Sequence, residues 1–556
     1  MQRFHYFLFV LLIGLVTAVI TPPVHAAPAA IIMVSNTNNS GVGSLRWAIT
    51  NAISGDTIQF NAALSGQTIT LTSGEIIINK NLTIDGSALA SPVTISGNNN
   101  SRIFYITSST VSITRLRFIN GASNEGDPGD WDGDGGAIYL QNSSTVTIDR
   151  SEFANNHAQY NGGALYIFSN SSATLTNNVF TNNSTLHAGG AIRDSSSPSV
   201  IVTGNTFVGN TANEGGAMWA SSGTEVLTNN TFYNNTGDGT LYVWEILNLN
   251  NNTFVGDDGV TVRNSFADLR MRNNIIGSCL VIGGIISVNI NNWIVNGSCS
   301  PAFSGDPLLL PLADNGGLTP TAALQPGSAA IDAGDNSTCV TYDQRGVARH
   351  DGDGNGVVTC DLGAYEAGNM RCSIIQGSDY AFSNQSNVSI HVNPTAGSDL
   401  GCLYVDEVPV NHPEATGITN GLHLRTGKYW HIEGFQSDGT TPANTFNVNL
   451  TLPYTSADST SRVCKWLDGG GAGFGWDCDD AGATHTTYST GVSVTRSGLN
   501  SLSQWAVGQH VGPTAVSLSA LSVTSPVPWS AVVAVGLLLG VGLWYTMRKR
   551  VKNWAD

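Results

Sequence analysis

Charge is what this sequence has least of: only 11% of its 556 residues are Asp, Glu, Lys or Arg. A chain this poor in charge is neither a self-repelling disordered tail nor a helical enzyme, and its wealth of Gly, Ser, Thr and Asn suits a long β-rich extracellular surface. The charges are also unbalanced, 23 basic against 40 acidic for a net −17, and several basic residues sit at the two ends. The middle is therefore more acidic still, which excludes nucleic-acid backbones as partners. No Cys-x-x-Cys, Gly-x-Ser-x-Gly, His-Glu-x-x-His or phosphate loop occurs, so the common zinc, hydrolase and nucleotide signatures are missing. Cysteine is absent before Cys279. The eight present are locally paired in spacing, Cys279 with Cys299, Cys339 with Cys360, Cys372 with Cys402 and Cys464 with Cys478. In an oxidising compartment that spacing favours four disulfides.

Long uncharged apolar runs are confined to the two ends. Residues 1–26 carry Arg3, an apolar stretch and the small-residue pattern Val24-His25-Ala26, the layout of a cleavable secretory signal. Residues 529–547 hold no charge and are followed by Arg548, Lys549, Arg550 and Lys552. That is close to the ~20 residues a transmembrane helix needs. The positive-inside rule makes the 548–556 tail cytoplasmic and the rest extracellular. The expected localisation is thus secreted and held at the membrane by the C-terminal helix, after an uncharged linker at 513–528.

Between these ends the chain repeats itself. Phe118, Phe153, Phe180, Phe207, Phe232 and Phe254, with Ile276 completing the row, recur at steps of 35, 27, 27, 25, 22 and 22 residues. Asn178, Asn205, Asn230, Asn252 and Asn274 each lie two positions before a row member, and Gly136, Gly163, Gly190 and Gly216 keep the same rhythm, with Gly239 in a degenerate copy. Short β-patterned pieces such as "TVTI" and "ATLT", separated by Asn, Ser and Gly, read as one coil of a parallel β-helix per period. Like residues then stack at ~4.8 Å; phenylalanines fill the interior, asparagines pass amide bonds from coil to coil, and paired glycines allow positive φ and close backbone approach. The crossover bias makes the helix right-handed. Ahead of it, Leu45, Ala48, Ile49 and Ala52 fall at helical spacing in "GSLRWAITNA", as a cap over the open end of the stack would.

These motifs carry a resemblance. "GGAIY" and "FANN" resemble the GGA and FxxN repeats of chlamydial polymorphic membrane proteins, which are surface β-helix adhesins. "GSLRWAITNA" resembles the CSLREA segment that opens many secreted bacterial repeat proteins, with Gly43 in place of the cysteine and Trp47 in place of the Glu. "NGGLTPTAALQPGSAAIDAGD" through "DQRGVARHDGDGNGVVTCDLGAYE" is similar to the choice-of-anchor Q domain. Together the likeness spans about residues 36–366 and implies a surface protein, without supplying a catalytic residue.

The expected fold is therefore all-β: a cap at 27–74, a right-handed parallel β-helix at 75–300, a closing segment at 301–369, a β-sandwich-like domain of about seven strands at 370–512, and a single C-terminal transmembrane helix. Three sites follow from the residues. Alternation along the strands puts Ile138, Leu165, Ile192, Met218 and Leu241 in the core and Tyr139, Tyr166, Arg193, Trp219 and Tyr242 outside. That outer stripe could stack on sugar rings or a partner, or its rings could only stack on one another beneath loops. Calcium is suggested by "DGDGNGVVTCD", where Asp351, Asp353, Asn355 and the Val357 carbonyl occupy positions of an EF-hand-type loop and Asp361 stands near its end. "DPGDWDGDGG" repeats the idea with Asp130, Asp132 and Asp134. Asp257 and Asp258 could form an acid and base pair of a polysaccharide-active enzyme, although the Gly-His-Gly and Arg-x-Lys that a polygalacturonase-like site would add on nearby coils are missing from residues 75–300. The favoured reading is non-catalytic: adhesion to, or contact with, a surface glycan or protein receptor. A β-helix polysaccharide lyase or hydrolase and a purely structural envelope protein are the alternatives.

Overall fold

The computed structural model describes residues 29–124, 133–256, 259–315, 317–325, 327–349, 357–382, 387–408, 422–424, 428–437, 441–454, 461–467, 475–478 and 493–510. The N-terminal apolar run, the linker and the 529–547 segment lie outside them. Among the described residues no helix is long and apolar enough to cross a membrane.

The first half of the chain winds into coils. One coil runs through Thr145–Asp149, Glu152–Ala154, His157–Ala158 and Leu165–Phe168 before Ser172–Thr176 starts the next. Equivalent strands of successive coils pair in parallel, building an eleven-stranded long sheet, a ten-stranded phenylalanine sheet, a nine-stranded tyrosine sheet and a short five-stranded sheet. Phe118, Phe153, Phe180, Phe207, Phe232 and Phe254 are in register. Their buried rings stack at 4.5–4.9 Å between neighbours, the coil repeat itself. Ile138, Leu165, Ile192, Met218 and Leu241 are buried as the alternation predicts.

The turns explain the Asn doublets. In each doublet the first residue adopts positive φ, as at Asn155, Asn177, Asn182, Asn229 and Asn251, a conformation asparagine tolerates better than most. The second faces inward. Asn178 donates its amide Nδ2 to Asn205 Oδ1 at 3.0 Å, and the ladder continues through Asn230, Asn252, Asn274 and Asn292. A second ladder links Asn156, Asn183, Asn210 and Asn235. Each buried amide thus meets the partner that burial demands. The glycine pairs divide the work likewise: Gly162 and Gly189 take positive φ, while a Cβ on Gly163 or Gly190 would run into the carbonyl of the equivalent glycine in the next coil.

The cap helix forms at Leu45–Asn51, with Ser44 accepting the Trp47 amide and Leu45, Ala48 and Ile49 buried. The coil stack begins earlier than expected, however. Ile31–Val34 and Thr57–Phe60 already open the long sheet, so the cap is inserted into the first coil and does not precede the stack.

Residues 301–367 do more than close an end. They lie along the flank of the later coils: Thr319 donates to the Gly204 carbonyl at 2.8 Å, Asn229 to that of Tyr342 at 2.7 Å, and Gly363 to that of Asn273 at 2.7 Å. Leu324, Leu362, Tyr365, Ile275 and Trp293 form a small core between segment and coils. Beyond it come two antiparallel sheets of seven and four strands, more than the seven strands expected in all. Leu403, Trp430, Ile432 and Trp505 from the larger sheet pack on Val388, Ile390, Leu450 and Val494 from the smaller. All eight cysteines are paired with their sequence neighbours, Cys279–Cys299, Cys339–Cys360, Cys372–Cys402 and Cys464–Cys478.

Candidate functional site

The outer row of the tyrosine sheet has the register that strand alternation implied. Tyr105, Tyr139, Tyr166, Arg193, Trp219 and Tyr242 sit directly above one another. Its exposure differs from the expectation: Tyr139, Tyr166, Arg193 and Tyr242 are buried, and Trp219 is half-buried. Two causes are visible. The rings cover one another, Tyr139 on Tyr166 at 5.1 Å and Trp219 against Tyr242 at 5.8 Å. Beside them the chain bridges Asp134, Asn161, Ala188 and Glu214 from coil to coil as a backbone shoulder, and Arg102 reaches from the shoulder over the Tyr139 ring, donating to the Asp134 and Gly135 carbonyls. What stays accessible is a smaller patch of Phe168, Trp219 and the 41% exposed Trp244, in which Trp219 and Trp244 meet edge to face at 5.6 Å.

Buried Arg193 packs against this patch. Its guanidinium lies over the Trp219 ring, a cation–π arrangement that strengthens when desolvated. Burial depresses its pKa to about 10. Among the described residues its Nε and Nη1, and Nε1 of Trp219, have no hydrogen-bond partner.

Behind Arg193 the chain buries two acids. Asp194 follows Ile167 in an inner row, and Glu225 stands between Val200 and Leu247 in another. Both have 0% exposure. Among the described residues Asp194 Oδ1 and both Glu225 oxygens have no hydrogen-bond partner; burial first, and for Glu225 also the neighbouring Asp194, raises Asp194 to about 6 and Glu225 to about 11. Around them ends a ladder of turn serines, where Ser144 Oγ accepts from Ser109 N, Ser171 Oγ from Ser144 N and Ser222 Oγ from Ser197 N. Neither feature was anticipated. An acid at a position where every neighbouring coil has an aliphatic residue was the available signal.

The other expected site residues are scattered. Asp257 and Asp258, Asp130 and Asp132, and Asp351, Asp353 and Asn355 lie outside the described residues. Val357 is exposed at 61%. Asp134 accepts the Asn161 side-chain amide at 2.8 Å, and burial raises its pKa. Asp361 is fully buried, accepting the Asp332 amide at 2.7 Å and the Ala367 amide at 2.5 Å, so both of its oxygens are engaged with the fold. Among the described residues no group of three or more His, Cys, Asp or Glu could hold a metal ion.

Instead "DQRG" and "DLGAYE" meet in a buried ionic cluster. Arg345 pairs with Asp343 at 2.8 Å, lies over the Tyr365 ring and faces Asp406 at 3.8 Å. Burial opposes its charge, but Asp343 and the other neighbours more than offset that and raise its pKa. Arg349 pairs with Glu366 at 2.9 Å, and Gln344 ties the segment to the coils by donating to Thr206 Oγ1 at 2.9 Å and accepting from Thr231 Oγ1 at 2.6 Å.

No curated protein matches the chain. Solved structures similar to it include Jun a 1, the major allergen from cedar pollen, at 16% identity and TM-score 0.31 over 50% of this chain and 80% of the allergen, and the pectate lyase Pel9A, at 15% identity and TM-score 0.35 over 61% of this chain and 97% of the lyase. Residues 38–226 and 103–299 match the family described as the right-handed β-helix region, and the coils they span are a right-handed parallel β-helix.

Proposed function

We propose that the chain is a secreted, membrane-tethered surface protein whose β-helix acts in adhesion or glycan contact and not in catalysis. The observation that carries this reading is the accessible aromatic patch of Phe168, Trp219 and Trp244. Trp219, packed against the buried Arg193 guanidinium and flanked by the accessible rings of Phe168 and Trp244, offers a pre-ordered aromatic surface of a residue type that dominates binding hot spots. Paired strands on both sides hold it rigid, so little ordering entropy is lost on binding. The secretory and anchoring roles of residues 1–26 and 529–547, and the kinship of residues 301–366 to the choice-of-anchor Q domain, belong to the same proposal. The ligand is a surface glycan or a protein receptor.

The test is a glycan array and a cell-attachment assay with the full-length protein and its Trp219→Ala and Trp244→Ala variants. Both variants should keep the parent's melting temperature while attachment falls at least tenfold. Attachment equal to the parent's would make the patch structural. Release of new chain ends from a polysaccharide panel, lost in Asp257→Asn or Asp258→Asn, would instead support the lyase or hydrolase reading.

A further inference from the structure

A second concave site lies far from the coil patch, where residues 301–367 meet the larger antiparallel sheet. It is a recess of about 350 Å³, within the roughly 300–1,000 Å³ typical of small-molecule sites. Strands Cys402–Val408 and Tyr429–Phe435 pair antiparallel, so the directly opposed residues Tyr404 and Glu433, Asp406 and His431, and Val408 and Tyr429 share the face that lines it. The rings of Tyr404, Tyr429 and Phe435 are buried and form its floor. Leu308, Leu324 and Tyr365 supply the opposite wall.

The polar groups are arranged in depth. Asp406 is buried at 6% exposure, takes a hydrogen bond from the Tyr365 hydroxyl and faces Arg345. Glu433 and Gln504 are half-buried nearer the surface, with Glu433 paired to His431 at 2.8 Å. Among the described residues no Lys or Arg lines the recess, whereas Asp406 and Glu433 do. An anionic ligand would meet carboxylates whose nearby basic groups are already engaged, Arg345 by Asp343 and Asp406, and His431 by Glu433. A ligand rich in hydroxyl donors suits them, because hydrogen bonds to a carboxylate are about twice as strong as neutral ones.

We infer that this recess binds the end of a neutral saccharide chain, with a hexosyl ring laid on Tyr429 and Phe435 and its hydroxyls donating to Glu433 and hydrogen-bonded to Gln504. The site is independent of the coil patch and needs neither adhesion nor catalysis there. The volume admits one or two sugar rings, too small for a folded protein partner.

Isothermal titration of the full-length protein with maltotriose, cellotriose, triacetylchitotriose and trigalacturonate tests it. At least one of the three neutral trisaccharides should bind saturably at millimolar or lower concentration, and trigalacturonate at least tenfold more weakly. Glu433→Gln and Gln504→Ala, at half-buried positions that should leave folding intact, should each weaken that binding at least fivefold with no change in melting temperature. Trp244→Ala should leave it unchanged, which separates the two sites. The inference is overturned if none of the neutral trisaccharides binds, if trigalacturonate binds as well as they do, or if both recess variants bind like the parent.

Discussion

The buried carboxyl pair makes the coil stack sensitive to pH in a direction opposite to ordinary acid denaturation. In the unfolded chain Asp194 and Glu225 titrate near their free values, ~3.9 and ~4.3. Folded, they rise to about 6 and about 11. The native state therefore holds more protons than the unfolded state, and stability falls as pH rises through the window from the unfolded to the folded values. Between about pH 7 and 6 one extra proton is held, worth ~1.4 kcal/mol per pH unit, and between about pH 6 and 5 two are held, worth ~2.7. Acidification from pH 7 to 5 should strengthen the fold through this pair by about 4 kcal/mol, or about half that once the coupling of the two titrations is allowed for. The double variant Asp194→Asn, Glu225→Gln replaces both carboxyls with amides and cannot titrate. In urea unfolding followed by tryptophan fluorescence, the parent midpoint should rise between pH 7 and pH 5, and the variant should lose that part of the rise while exceeding the parent at pH 7. The difference between the two proteins isolates the pair from other buried acids such as Asp361. Equal pH dependence in parent and variant would refute the reasoning and mean that the two carboxyls are ionised and compensated in the fold.

Phe180→Ala and Phe207→Ala each remove a ring from the middle of the stack, and urea unfolding should show a loss of ~3–5 kcal/mol. Gly190→Ala places a methyl group against the Gly216 carbonyl and the Thr211 backbone; because backbone cannot rotate aside, the loss should reach or exceed ~3 kcal/mol, the upper end of ordinary overpacking. If Asp351, Asp353 and Asn355 hold calcium, thermal melts in chelator and in millimolar calcium should differ. Identical melts, unchanged again in Asp353→Ala, would remove calcium from the account of this protein.

Much of the architecture was legible because a solenoid writes its periodicity into the chain. Phe118 through Phe254 and Asn178 through Asn274 recur at coil spacing, and like residues must stack when each coil pairs with the next. The second ladder, Asn156 to Asn235, lies in separate doublets that follow the phenylalanine, whereas those of the first precede it. The acid pair was not legible as a pair. Asp194 and Glu225 are 31 residues apart and belong to different coils and different sheets, and only the turn between the sheets brings them together.

Sequence by itself determined which side chains share a row, since alternation along a strand and the coil repeat leave no other choice once the strands exist. Its cysteine spacing favoured nearest-neighbour disulfides, since short loops close at the least entropic cost, and the structure has those pairs. Tertiary structure alone decided accessibility. Tyr139, Tyr166 and Tyr242 point out of the coil as their parity requires, yet neighbouring rings and the shoulder of Asp134, Asn161, Ala188 and Glu214 bury them. It alone decided, too, that residues 301–367 return along the flank of the coils and that Tyr365 and Asp406 meet across a recess. Burial depends on what lies above a residue in space, and here that is set by neighbouring coils and by the returning 301–367 segment, whose approach no local pattern encodes.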